Sequence, residues 1–124
     1  MEQLALAAAY LLGPDEPMLA GEMSRYDAWD GWARNLAVAV TAAHVIVFRI
    51  DYLDGQPRWI AMAARPTAVT MERSTLMFGW MYQALQIRGP NGRWSIQGFQ
   101  GEEDFNPEPV LEAWRHAVRT TPQT

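Results

Sequence analysis

Residues 85–97 read LQIRGPNGRWSIQ, and this stretch decides the fold. Leu85 and Ile87 alternate with Gln86 and Arg88, then Trp94 and Ile96 alternate with Ser95 and Gln97, the period-two pattern of strands with one buried face. Asn91-Gly92 between them predicts a type I′ turn, because both of its central residues need a positive φ. An antiparallel hairpin follows, and with it a chain built mainly of strands.

Working toward the N-terminus, Leu76–Tyr82 carries Phe78, Trp80 and Tyr82 on one strand face. Its aromatic content and Gly79 favour a strand, although Met71, Thr75, Phe78 and Tyr82 also fit a helix face. Ala68–Arg73 reads as a short strand after Pro66, and Arg58–Ala64 as another, entered from an Asp54-Gly55 type I′ turn. Val45–Tyr52 is β-branched and aromatic and meets alternating Leu36, Val38 and Val40 across Thr41-Ala42-Ala43-His44. Met18–Met23 is a candidate first strand. Residues 2–12 place Leu4, Ala8, Leu11 and Leu12 on one helical stripe and stop at Gly13-Pro14, which predicts a short N-terminal helix over 1–13.

Toward the C-terminus, Asn106-Pro107-Glu108 is a helix start: a capping side chain, a proline in the first turn and a carboxylate at the positive end of the dipole. Val110, Leu111, Trp114, Ala117 and Val118 form an apolar stripe opposite Glu112, Arg115 and Arg119. The expected fold is mainly β, a single domain over 1–124: an antiparallel barrel or sandwich of six or seven strands over 16–101, closed by an amphipathic helix over 106–119.

Composition bounds the function. A net charge of −4 argues against the phosphate attraction on which most nucleic-acid binding rests, so no nucleic-acid partner is expected. The absence of cysteine removes disulfides, thiol catalysis and zinc–thiolate sites, and fits a cytoplasmic protein. All ten basic residues are arginine, as GC-rich coding produces. The apolar run Leu4–Leu12 is too short to span a bilayer and follows Glu2 where an export signal carries positive charge, so no transmembrane segment is expected.

Catalytic signatures are missing from the sequence. His44 and His116 have no partner at metal-ligand spacing, the serines lie in no G-x-S-x-G context, and Gly89-Pro90-Asn91-Gly92 is a turn rather than a phosphate loop. Glu102-Glu103-Asp104 lacks the D-x-D-x-D-G order of a calcium loop. We expect no metal, no cofactor and no enzyme activity. The six tryptophans carry more information: Trp59, Trp94 and Trp114 fall where core packing explains most of them, whereas Trp29 and Trp32 sit in the charged segment 24–35 with Arg25 and Arg34. That segment is either an aromatic contact surface or a loop folded back on the core. Met62, Met71, Met77 and Met81 read as gap-filling core or, if outside, as an adaptable apolar surface.

The order of strands and final helix, carried by LAVAVT before HVIVF (residues 36–41 and 44–48), AVTMER (68–73) and LQIRGPNGRW (85–94), resembles the bacterial pleckstrin-homology-like domains over roughly residues 16–119. The resemblance implies a small barrel or sandwich plugged by its C-terminal helix, and binding or assembly rather than catalysis. Phosphoinositide-binding members carry clustered basic residues between their first two strands; here Asp27 and Asp30 offset Arg25 and Arg34, so phosphoinositide binding is not expected. The leading expectation is a non-enzymatic module that binds a protein partner or itself through Trp29, Trp32, Arg25 and Arg34. One alternative is a small-ligand carrier or enzyme whose barrel pocket is lined by Trp59, Trp80 and Tyr82, with His44 or Arg49 at its mouth; another is a homo-oligomeric structural protein.

Overall fold

The computed structural model describes residues 16–23, 36–50, 57–77, 81–99 and 106–120, with the backbone alone at 57–58, 76–77, 81–82 and 98–99. Strands β1 (Ala20–Met23), β2 (Leu36–Val40), β3 (Val45–Ile50) and β4 (Pro57–Ala64) form a first antiparallel sheet in chain order. Strands β5 (Thr70–Met77), β6 (Met81–Gly89) and β7 (Gly92–Phe99) form a second. A 3-10 turn at Pro66–Ala68 joins them, and helix α1 (Glu108–Thr120) follows. Among the described residues no ladder links the two sheets, so the barrel alternative falls: the architecture is two antiparallel sheets and a helix. The expected N-terminal helix over 1–13, the segment 24–35 and the Asp54-Gly55 turn lie outside the described residues.

The main core lies between the layers. Val38, Val40, Val45, Val47 and Met62 of the first sheet meet Met71, Leu85, Ile87 and Ile96 of the second, with Val110 and Leu111 of α1 in the same cluster. Alternation sends the neighbouring residues Ala37, Ala39, Ile46, Phe48 and Ile50 to the other face of the first sheet, where they form a second buried cluster with Met18 and Met23 against it. The second sheet differs. Its outer face carries Thr70, Glu72, Ser74, Gln86, Arg88, Arg93, Ser95 and Gln97, half-buried or exposed, with Ala84 the buried residue among them. Amide donors on this face serve hydroxyls, with Gln86 Nε2 at 3.3 Å from Ser74 Oγ and Gln97 Nε2 at 3.2 Å from Ser95 Oγ.

The helix start matches its sequence signature. The Glu108 N–H donates to Asn106 Oδ1 at 3.1 Å and the Leu111 N–H to the Pro107 carbonyl at 3.0 Å. Two further bonds seat α1: Trp114 Nε1 donates to the Pro66 carbonyl at 3.0 Å, and the buried Glu22 of β1 accepts the Asn106 N–H at 3.2 Å. Val110, Leu111 and Ala117 are buried; Trp114 and Val118, also on the expected stripe, are half-buried.

Three local expectations are corrected. The described residues of Leu76–Tyr82 are strand rather than helix, as expected, but they belong to two strands, with Met77 of β5 paired antiparallel to Met81 of β6. The second hairpin is where the alternation puts it, but Gly89 pairs with Gly92, so Pro90-Asn91 rather than Asn91-Gly92 are its central residues. A type I′ turn is impossible there, since proline holds φ near −65° and Asn91 has no positive φ; Gly92 takes φ 155° instead. Finally, core packing holds for Trp94 and Trp114, which pack against the main core, but not for Trp59.

Candidate functional site

Trp59 exposes 55% of its surface and its neighbour Ile60 42%; with Leu19 they are the large hydrophobic residues left open among the described residues. Both sit on β4, which pairs with β3 on one side and with no described strand on the other. The register explains why neither is covered. Trp59 lies opposite Arg49 on the core-facing side, at the end of the sheet away from the Thr41–His44 turn, while Ile60 lies opposite Phe48 on the outer side. The pairing slips twice, between Val47 and Phe48 and between Arg49 and Ile50, so the strand is bulged where these residues project.

The two strands that flank the sheet-to-sheet crossing manage their edges differently. Strand β5 carries Glu72 and Arg73, and Arg73 is held by Glu108 at 2.7 Å and Gln83 at 2.8 Å. Charged side chains of this kind blunt an edge against further pairing. Residues 57–65, PRWIAMAAR, contain no acid at all and two arginines, and Arg49 beside Trp59 is exposed. The β4 edge is therefore apolar, aromatic and positive.

A second polar feature lies at the Thr41–His44 turn. Thr41 Oγ1 accepts the N–H groups of Ala43 and His44 at 3.2 and 2.9 Å and donates to Glu16 Oε1 at 2.5 Å, and His44 Nδ1 is paired with the same carboxylate oxygen. Burial pushes the Glu16 carboxyl up, but the hydrogen bonds of Thr41 and His44 and the charge of His44 outweigh it and hold the group below its ordinary range. The hydroxyl serves the carboxylate rather than the imidazole, so these three groups are not arranged as nucleophile and base. They pin the incoming chain to the β2–β3 turn.

The third feature is a hollow of ≈ 440 Å³ on the outer face of the second sheet, lined by Thr70, Glu72, Ser74, Gln86, Arg88 and Arg93. Arg88 and Arg93 face each other across the hairpin, both exposed. Neither has an ion pair among the described residues.

Of the residues singled out in the sequence, Arg25, Trp29, Trp32, Arg34 and Trp80 lie outside the described residues, and Tyr82 is described by its backbone alone, at the start of β6. His44 and Arg49, the alternatives for the mouth of a barrel pocket, stand at opposite ends of β3, roughly 17 Å apart at the rise of a strand. Arg49 and Trp59 are brought together as a cross-strand pair. Pro57, at the first position of β4, is the sequence signal that fits a strand with no described partner on its other side. No family model, no curated protein and no solved structure matches the chain.

Proposed function

We propose that this chain is a non-enzymatic protein-binding module whose contact surface is the β4 edge, and that its partner is an extended segment bearing acidic and apolar residues. The observation that carries this is the exposure of Trp59 and Ile60, beside the exposed Arg49, on an eight-residue strand that pairs with β3 on one side and with no described strand on the other. Tryptophan and arginine are among the side chains most enriched at binding hot spots, and a free strand edge offers a row of backbone groups to a pairing segment. The positive charge of the strand favours an acidic partner over a second copy of the same strand. The pleckstrin-homology-like reading is part of this proposal and is supported by the order of four strands, three strands and helix. The N-terminal helix and Trp29/Trp32 as a further contact are proposed on the sequence alone, and alanine at both tryptophans tests the contact.

A dye-labelled peptide of alternating glutamate and valine is a direct probe. Its fluorescence anisotropy should rise on addition of the chain, and Trp59→Ala should weaken binding by about tenfold or more while leaving the circular dichroism spectrum unchanged. Equal binding by Trp59→Ala, or by a lysine–valine peptide in place of the acidic one, contradicts the assignment.

A further inference from the structure

The outer face of the second sheet gathers charge in an arrangement that its own packing does not use. Register sets the face in rows across three strands: Thr70, Arg88 and Arg93 in one, Glu72, Gln86 and Ser95 in the next. Arg88 and Arg93 are thus directly opposite, where Cβ atoms lie about 4.5–5.5 Å apart and like charges destabilise the pair. An acid at position 70 or 93 would relieve that repulsion. Instead residues 81–99, the whole β6–β7 hairpin, hold these two arginines and no acid, in a chain whose net charge is −4. Neither guanidinium has an ion pair among the described residues, and Glu72 stands one row away, opposite Gln86.

The two arginines border the hollow of ≈ 440 Å³, a size within the range of small-ligand sites. Thr70, Glu72, Ser74 and Gln86 complete its polar wall. Gln86 Nε2 donates to Ser74 Oγ at 3.3 Å, which leaves Gln86 Oε1 to accept and the Ser74 hydroxyl to donate. The lining is therefore divided, with a doubly positive end beside the hairpin turn and an acceptor-rich end at Glu72 and Gln86.

We infer that this hollow binds a small phosphomonoester of a polyol, with the phosphate between Arg88 and Arg93 and the hydroxyls on Glu72, Ser74 and Gln86. A phosphomonoester carries about −1.5 to −2 charges at neutral pH, so one group offsets both guanidinium charges, and its terminal oxygens suit two planar donor forks. A carboxylate brings a single charge to the same place. Glu72 selects the rest of the ligand: it repels a second anionic group and accepts hydrogen bonds from hydroxyls, so the body is neutral and hydroxylated. The site lies on the sheet that does not contain β4, and either site can fail without the other.

Glucose 6-phosphate is the probe, titrated into the isotope-labelled full chain and read by amide chemical shifts. The signals of Thr70, Glu72, Gln86, Arg88 and Arg93 should move saturably while those of Val38 and Val47 in the first sheet stay in place. Arg88→Gln and Arg93→Gln, both at exposed positions, should each weaken binding by about tenfold or more, because charge-assisted hydrogen bonds are lost. Inorganic phosphate should bind the same residues about tenfold more weakly, and glucose should not bind. Equal binding by inorganic phosphate overturns the inference, as does unchanged affinity in the arginine variants or the absence of a saturable shift. A phosphoserine peptide that binds more tightly than the sugar phosphate also overturns it, because the ligand is then an extended chain.

Discussion

The two sheets are made from similar material and finished differently. In the first, both faces of β2 and β3 are apolar: Val38, Val40, Val45 and Val47 look into the shared core while Ala37, Ala39, Ile46 and Phe48 are buried on the opposite side. In the second, Leu85, Ile87 and Ile96 face the core and Thr70, Glu72, Gln86 and Arg88 face outward. A sheet with one polar face is complete once its inner face is covered, whereas a sheet with two apolar faces needs cover on both. The first sheet is covered as far as β3 and open at β4, and that is where the binding surface is proposed.

The largest expected effect breaks or secures this contrast directly. Phe48→Ala should destabilise the chain by about 3–5 kcal/mol in urea unfolding, because it opens a cavity in a packed face, while Gln86→Ala on the other sheet should change stability by about 0.5 kcal/mol or less. Similar values for the two variants end the distinction between the faces. Next in size, Asn106→Ala removes the side-chain cap of α1 and should cost about 1 kcal/mol by the same measurement.

A smaller effect of opposite sign is expected on the second sheet. Arg88 and Arg93 are like charges directly opposite each other, so Arg93→Glu should stabilise the hairpin by about 0.2–1 kcal/mol at low salt, with the gain fading as salt is added. No gain at low salt means that the two side chains already point apart.

The smallest is a pH effect at the turn of the first sheet. Because the Glu16 carboxyl is held below its ordinary value of 4.5, its contribution is complete above that value and is lost as pH falls through the folded-state one. Glu16→Gln should therefore lower the urea midpoint at neutral pH and narrow the difference from the parent chain below pH 4.5. A difference independent of pH removes the ion pair from the account.

Much of this architecture is legible in the sequence, for reasons local to each element. The helix start at Asn106-Pro107-Glu108 and the alternation on both sides of residues 89–92 are set by neighbours a few residues apart, and both elements form where those patterns place them. The turn inside the hairpin lies one residue earlier than Asn-Gly predicts, because the adjacent proline overrides that strong signal. The reversal between Met77 and Met81 is hidden by apolar side chains on both sides of it. Trp59 is the residue least legible in the sequence. A tryptophan at a strand position looks like core, but whether a neighbour covers it depends on which strand ends the sheet and where the opposite sheet stops, and both are tertiary facts.

Amide hydrogen exchange of the full chain, with and without the alternating glutamate–valine peptide, tests the proposed binding edge most directly. Peptide should slow exchange in β4, from Trp59 to Ala64, and leave β6 and β7 unchanged. Slowing confined to the second sheet, or none anywhere at saturating peptide, contradicts the assignment of the open edge as the binding surface.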